Sequence, residues 1–153
     1  MVNPQVSIIG SSRASETEKR HAFTVGKLLA RQNITLVCGG YGGVMAEACR
    51  GHREYDGGRT VGILKNTSLN EGNDHLDVKI ATGVGEARNL AVVSSGQVVI
   101  AIGGSFGTLS ELGYAKKLDK PVFGIGSWEH TRLQFPSDLD PEVAVNRTLE
   151  VLD

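Results

Sequence analysis

A doubly wound α/β fold, with a mainly parallel sheet and helices on both faces, is predicted by three features of this 153-residue sequence. Short, nearly continuous apolar segments alternate with longer segments in which apolar residues recur at helical spacing. Strands that are apolar on both faces are typical of parallel sheets covered by helices on both sides. Glycine clusters follow most of the apolar segments, where such folds turn from strand to helix. The length predicts a single domain spanning residues 1–153.

The first half of the chain alternates between predicted strands and predicted helices. Residues 6–9 form a first apolar strand, and Ser15 and Glu18 then have the spacing of a capping box, which predicts the start of a helix. Asn33 is expected to end that helix. Beyond it we predict a strand at 34–38, a helix at 43–53, a strand at 60–64 and a polar loop at 66–75. The first helix presents one apolar face, formed by Ala22, Val25, Leu28 and Leu29.

The second half repeats the alternation and ends in a helix. Asp140 followed by Pro141 predicts the start of this last helix, because aspartate caps helices and proline is favoured in their first turn. The complete pattern is that of a Rossmann-like fold, with a ligand crevice at the carboxyl ends of the strands. Strands are predicted at 78–81, 98–102 and 121–125, and helices at 85–95 and at 107–119, with Leu109, Leu112, Ala115 and Leu118 inward.

Composition excludes several classes of protein. The 16 Lys and Arg residues balance 17 Asp and Glu, so we expect neither a nucleic-acid partner nor an anionic membrane surface. The longest uncharged stretch, residues 89–110, is interrupted by glycine and serine, and the first residues do not resemble a secretory signal. The two cysteines are too few for a disulfide framework, which favours a cytoplasmic location. The histidines lack metal-ligand spacing, so no structural metal is expected.

The glycine clusters are expected to form a site for an anion. In a parallel sheet the loops after the strands lie at one edge, and unpaired N–H groups at helix N-termini attract negative charge there. The alternative is that glycine only permits tight turns. No GxxxxGK[ST] motif is present, no GxGxxG follows the first strand, and no acidic residue ends the second strand, so NAD is not expected. The clusters lie at residues 10–12, 39–43, 83–85, 103–108 and 124–127.

Two charged residues have positions that fit such a site. Arg88 falls in the first turn of its predicted helix, where a cation opposes the helix dipole unless an anion faces it. It is otherwise a solvated arginine or a partner of Glu86. Glu111 falls near the start of the next helix, and its alternative role is that of a cap, because Thr108 and Glu111 also have capping-box spacing. Ser105 and Thr108 can likewise bind a phosphate or cap this helix.

Three glycine segments resemble those of the Lonely Guy (LOG) family, formerly described as lysine-decarboxylase-like. The segment GGSFGTLSE at 103–111 is similar to the family signature PGGxGTxxE, and Arg88 precedes Gly103 by the spacing of the family's arginine. VCGGYGGVM at 37–45 and IIGSS at 8–12 resemble the family's other glycine loops. The family's hydrolases carry MHxRK around the arginine, whereas GEARN stands at 85–89 here. GxGEARN in a chain of this size is most similar to the molybdenum cofactor carrier subgroup.

This resemblance implies a binding protein for a phosphate-bearing ligand, with molybdenum cofactor, a phosphorylated pterin, as cargo. The alternative that it implies is a nucleoside 5′-monophosphate phosphoribohydrolase, releasing base and ribose 5-phosphate with Arg88 and Glu111 as catalytic residues. We prefer the binding protein, because the residues that flank the hydrolases' arginine are absent. The residues expected to bind the ligand are Gly10, Ser11, Ser12, Gly40, Tyr41, Gly42, Gly43, Arg88, Gly104, Ser105, Phe106, Gly107 and Thr108.

The resemblance also implies a homodimer or homotetramer. The segments 88–95 and 107–117 carry more apolar residues than one core face requires, so they are the expected interface. The residues expected to form it are Leu90, Val92, Val93, Tyr114 and Ala115.

Overall fold

The computed structural model describes residues 3–129 and 132–153, and in this part of the chain six strands form one parallel sheet. The strands lie in the order β4-β3-β2-β1-β5-β6, and every neighbouring pair is parallel. This order confirms the predicted doubly wound fold. The strands are β1 (Gln5–Gly10), β2 (Thr35–Cys38), β3 (Thr60–Leu64), β4 (Val78–Ala81), β5 (Val98–Ile102) and β6 (Val122–Ile125).

Helices cover both faces of the sheet. They are α1 (Glu16–Arg31), α2 (Val44–His52), α3 (Arg88–Ser95), α4 (Phe106–Lys117) and α5 (Pro141–Leu152), with short 3₁₀ turns at Leu69–Glu71 and Gly85–Ala87. On one face α1, α2 and α5 pack on Ile8, and on the other α3 and α4 pack on Ile9. Neighbouring residues of a strand therefore enter opposite cores, which is why the strands are apolar without interruption.

Two helix boundaries differ from the prediction. The 3₁₀ turn separates Gly85 from α3, which begins only at Arg88. α4 begins at Phe106 and ends at Lys117, so Leu118 is a C-cap residue that is 43% exposed rather than an inward-facing one. The capping box at the start of α1 is confirmed, because Ser15 Oγ accepts from the Glu18 N–H at 3.1 Å and Glu18 Oε1 accepts from the Ser15 N–H at 3.0 Å.

α1 and α2 approach each other with no side chain between their backbones at two points. A Cβ atom at Gly26 would lie 1.9 Å from the Ala48 carbonyl oxygen, and one at Gly51 would lie 2.0 Å from the Phe23 carbonyl oxygen. Glycine is therefore required at both positions for this helix pair to form. The pair fixes the N-terminus of α2 beside the end of β1.

The predicted interface between copies is wrong for three of its residues. Val92, Val93 and Ala115 are fully buried in the core beneath α3 and α4. Leu90 remains exposed, and Tyr114 is partly buried. Within the described ranges, no helix combines the length and the apolar character needed to cross a membrane.

Candidate functional site

A cleft of about 420 Å³ opens at the carboxyl edge of the sheet, beside the end of β1. The strand order reverses at β1, between β2 and β5, and a reversal of this kind is where doubly wound folds bind their ligands. The loops after β1, β2, β3, β4 and β5 all contribute to its wall. The lining residues are Gly10, Ser12, Tyr41, Met45, Lys65, Glu86, Arg88, Asn89, Ser105, Gly107, Thr108 and Glu111.

Most of the residues predicted from the sequence meet in this cleft. Its wall includes Gly10, Ser12, Tyr41, Arg88, Ser105, Gly107, Thr108 and Glu111. The same loops carry the remaining predicted residues, which lie outside its lining: Ser11, Gly40, Gly42, Gly43, Gly104 and Phe106. Sequence reasoning did not assign four residues of the wall. Met45, Glu86 and Asn89 stood inside the segments used for the resemblance, whereas Lys65 carried no signal.

Gly43 joins the first two loops of the cleft. The Val44 N–H donates to the Ser11 carbonyl oxygen at 3.0 Å, so the loop after β1 is bonded to the start of α2. Gly43 has a φ of 62°, and a Cβ atom there would lie 2.3 Å from the same Ser11 oxygen. Both the backbone angle and the contact require glycine. Ser11 and Gly43 therefore shape the cleft through their backbones.

Tyr41 lies beside both cations of the cleft. The Arg88 guanidinium carbon and Lys65 Nζ are each 5.4 Å from the centre of its ring, within the range of cation–π attraction. The Tyr41 hydroxyl accepts from the Lys65 N–H at 2.9 Å and donates to Glu71 Oε2 at 3.1 Å. Lys65 Nζ also pairs with Glu86 Oε1 at 2.7 Å. This pairing lowers the pKa of Glu86.

Arg88 is a buried cation that forms no ion pair with another described residue. Its side chain is 6% exposed, and its Nε is a buried polar atom with no hydrogen-bond partner in the described residues. It packs so closely on Gly39 that a Cβ atom there would lie 1.9 Å from Nη1. It is not a solvated arginine, and the ion pair of Glu86 is formed with Lys65, while the charge of Arg88 also helps to lower the pKa of Glu86. A buried unpaired charge is costly, so an anion in the cleft would relieve a real penalty.

Glu111 is not a helix cap. Ser105 is the N-cap of α4, and its N–H donates to Thr108 Oγ1 at 3.3 Å, so the capping position is three residues earlier than Thr108. Glu111 lies a turn further along α4, 8% exposed and facing the cleft. Burial raises its pKa to about 8, although the positive charge of Arg88 opposes the rise. At neutral pH the carboxyl is therefore mostly protonated and leaves the charge of Arg88 uncompensated.

The N-terminus of α4 adds backbone donors to the cleft. The Leu109 N–H is bonded to the Ser105 carbonyl at 3.0 Å, which closes the first turn. The N–H groups of residues 106–108 precede that bond and have no helical carbonyl to donate to. No atom lies within 4 Å of the position that a Cβ of Gly107 would occupy, so the backbone faces open space there. The cations, the N–H groups of residues 106 and 107 and the protonated carboxyl form an arrangement that favours an anion over a cation.

The described residues contain no group of three or more His, Cys, Asp and Glu side chains arranged to hold a metal ion. The cleft places two acidic side chains, Glu86 and Glu111, beside the cations Lys65 and Arg88.

The sheet order and this cleft define a Rossmann-like protein with a crevice at its topological switch point, lined by Arg88 and Lys65. The chain belongs to the SLOG cluster4 family, whose model matches residues 3–151. An uncharacterized protein of Archaeoglobus fulgidus is 39% identical over 118 residues, which are 77% of each chain.

Two solved structures match nearly the whole chain. The molybdenum cofactor binding protein of Rippkaea orientalis superimposes with a TM-score of 0.92 at 31% identity, over 100% of this chain and 99% of that one. The molybdenum cofactor carrier protein of Chlamydomonas reinhardtii superimposes with a TM-score of 0.89 at 31% identity, over 99% of each chain. The resemblance read from the glycine segments and from GxGEARN is thereby confirmed.

Proposed function

We propose that this protein binds the molybdenum cofactor as cargo and carries or stores it, with the phosphate of the pterin in the cleft beside Arg88. The observation that carries this proposal is the buried guanidinium with an unpartnered Nε, aimed at a cleft that has free backbone N–H groups. The likeness to molybdenum cofactor binding and carrier proteins over the whole chain supports the choice of cargo.

Each part of the cleft has a role in this proposal. Arg88 supplies charge and guanidinium donors, and the N–H groups at the start of α4 donate to phosphate oxygens. Thr108 and Ser105 hold the helix start in place. Glu111, protonated at neutral pH, donates a hydrogen bond instead of repelling the anion. Lys65 balances Glu86 at the rim of the cleft.

A phosphoribohydrolase is the second candidate, because Arg88 and Glu111 line the same cleft. Cleavage of an N-glycosidic bond builds positive charge on the ribose, and an ionised carboxylate must stabilise that charge. Burial keeps Glu111 protonated up to about pH 8. The cleft as it stands therefore favours anion binding over stabilisation of a cation.

Loading the protein with its cargo tests the proposal. Molybdenum cofactor released anaerobically from a molybdenum enzyme is mixed with the protein, and co-eluting molybdenum and phosphorus are measured by elemental mass spectrometry. Arg88→Ala is expected to reduce retention by about tenfold or more, the effect of losing a charge-assisted hydrogen bond. Arg147→Ala, which removes an exposed arginine from α5, is the matched control and should retain the cargo.

Two outcomes would contradict the proposal. Equal retention by the Arg88→Ala variant and the wild type would remove the phosphate role of this residue. Release of base and ribose 5-phosphate from AMP by the wild type, abolished in Glu111→Ala while AMP still binds, would make the hydrolase the function.

We also propose a homodimer or homotetramer located in the cytoplasm. Apolar side chains at the β4 edge remain exposed, with Val78 at 44% and Ile80 at 46%, and Leu90 of α3 is exposed as well. Val78 and Ile80 stand two residues apart on an edge strand and so share one face of it, which favours an interaction surface there. The two cysteines are unbonded thiols, as a reducing compartment requires.

A further inference from the structure

A second cleft, of about 470 Å³, opens at the same edge of the sheet on the far side of the start of α4. It lies between the ends of β5 and β6, and it shares no lining residue with the first cleft. Its lining residues are Glu18, Gly103, Gly104, Gly126, Ser127, Trp128 and Glu129. The function proposed above uses none of them.

Two aromatic rings stand at this second cleft. Trp128 lines it, and its Nε1–H donates to the Ser105 carbonyl oxygen at 3.1 Å, which fixes the plane of the indole. The ring of Phe106 lies 5.9 Å from that of Trp128 at an interplanar angle of 40°. Phe106 is 81% exposed, so it contributes little to the core. A large exposed aromatic beside an anchored indole offers a surface on which another planar ring can stack.

Gly126 leaves part of the floor of the second cleft without a side chain. Gly103 and Gly126 have φ values of 57° and 56°, and no atom lies within 4 Å of a Cβ position at Gly126. The Ser127 hydroxyl donates to the Gly103 carbonyl oxygen at 2.8 Å, which ties the ends of β5 and β6 together. A flat group can therefore lie close to this surface beside Trp128.

Among the described residues, the lining of the second cleft carries two carboxylates and no Lys or Arg, whereas the first cleft pairs acidic side chains with cations. Glu18 Oε1 is used by the capping box of α1, but Oε2 lies against Gly103, where a Cβ atom would approach it to 1.5 Å, and it accepts no hydrogen bond in the described part of the chain. Glu129 adds a second carboxylate to the wall. Carboxylates accept hydrogen bonds only, so they select a group with N–H donors at its edge.

We infer that the second cleft binds a planar heteroaromatic ring with N–H donors along its edge, and that this ring belongs to the ligand whose phosphate occupies the first cleft. The inference rests on the proposed function. Ser105 joins the two clefts, since it lines the first one and its carbonyl anchors Trp128 of the second. The ring stacks on the Phe106–Trp128 pair, and its edge donates to Glu18.

Fluorescence of Trp128 tests this inference directly, because it is the one tryptophan in the sequence. The probes are 6-hydroxymethylpterin, which has a ring but no phosphate, ribose 5-phosphate, which has a phosphate but no ring, and GMP, which has both. The pterin and GMP are expected to quench Trp128, and ribose 5-phosphate is not. Titration of free N-acetyltryptophanamide corrects for absorption by the probes.

Three variants assign the contacts. Phe106→Ala should weaken binding of the pterin and GMP by roughly tenfold, the usual scale for loss of a base–aromatic stack. Glu18→Gln keeps the capping box, which glutamine also forms, and should weaken the same two probes several-fold. Arg88→Ala should weaken GMP and ribose 5-phosphate and leave the pterin unaffected.

The outcomes separate this inference from the proposed function. If calorimetry shows Arg88-dependent binding of GMP while Trp128 fluorescence is unchanged and Phe106→Ala has no effect, the ring subsite is wrong and the phosphate site stands. If the pterin quenches Trp128 but Arg88→Ala changes no phosphorylated probe, the phosphate site fails and the ring subsite stands. If Phe106→Ala changes only the sedimentation coefficient, the aromatic pair is a contact between copies and the inference is overturned.

Discussion

Replacing Glu111 by glutamine should make the protein more stable at alkaline pH and leave its stability nearly unchanged in acid. Burial raises the pKa of this carboxyl from its ordinary 4.5 to about 8. Between these two values the folded protein holds a proton that the unfolded chain has lost. Wild-type stability therefore falls as pH rises from about 4.5 to about 8, and glutamine, which resembles the protonated acid, removes that fall.

The magnitude follows from the two pKa values. Each pH unit over which the proton numbers differ changes the free energy of unfolding by about 1.4 kcal/mol. A pKa of about 8 in place of 4.5 then sets an upper limit of about 5 kcal/mol above pH 8, and about 3 kcal/mol at pH 7. Because Glu111 is 8% exposed, solvent screening reduces these figures only modestly. Differences of this size exceed the change in the free energy of unfolding that most single surface substitutions cause.

Urea unfolding of both proteins at a series of pH values from about 5 to about 9 measures the effect. Glu150→Gln removes an exposed carboxyl from α5 and serves as the matched control, for which we expect a small difference without this pH trend. A difference between Glu111→Gln and the wild type that stays constant across this range would show that Glu111 is ionised in the folded protein, and the protonated carboxyl in the cleft would have to be abandoned.

The other predictions concern the cleft and the assembly. Gly39→Ala should displace the guanidinium of Arg88, because the new Cβ atom would lie 1.9 Å from Nη1. We expect ribose 5-phosphate to raise the melting temperature of the wild type but not of this variant, and an equal rise in both would refute the prediction. Gly113→Ala is its control, since open space surrounds that position on α4, and it should stabilise the helix by roughly 0.5–1 kcal/mol. Gly107→Asp should abolish the same thermal shift by placing a carboxylate among the free N–H groups of α4; a variant that still responds would move the phosphate elsewhere. Leu90→Glu should shift the sedimentation coefficient toward that of a 16.3 kDa monomer, whereas a wild type that is already monomeric would end the proposal of an oligomer.

The strands were predictable because each one serves two cores. Ile8 and Ile9 face opposite clusters, and this produces the apolar runs that mark β1 in the sequence. The start of α4 was less certain, because Ser105 and Thr108 both stand three residues before a residue that can complete a capping box. The chain turns at Gly103 and Gly104, both with positive φ, so the helix begins at once and Ser105 becomes the cap.

The cleft was only partly predictable for a similar reason. Arg88 and Glu111 were found through their spacing to the glycine segments. Their burial, and the absence of a hydrogen-bond partner for Arg88 Nε in the described residues, are tertiary properties that spacing does not reveal. Lys65 and Glu86 follow neighbouring strands of the sheet, β3 and β4, and they pair at 2.7 Å only because of that strand order. Val92 and Val93, which were assigned to an interface, belong to the core. The helical spacing of apolar residues does not show whether the sheet or another copy of the chain covers them.

The contact between α1 and α2 has a mechanical consequence. With carbonyl oxygens seated on Gly26 and Gly51, these helices cannot slide past each other without a backbone collision. The hydrogen bond from the Val44 N–H to the Ser11 carbonyl oxygen also holds the loop after β1 against the start of α2. We therefore expect this half of the rim to be rigid. The Lys65–Glu86 ion pair, also in the wall of the cleft, is partly solvated, so we expect a rise in ionic strength to weaken it and any adjustment to a ligand to occur there.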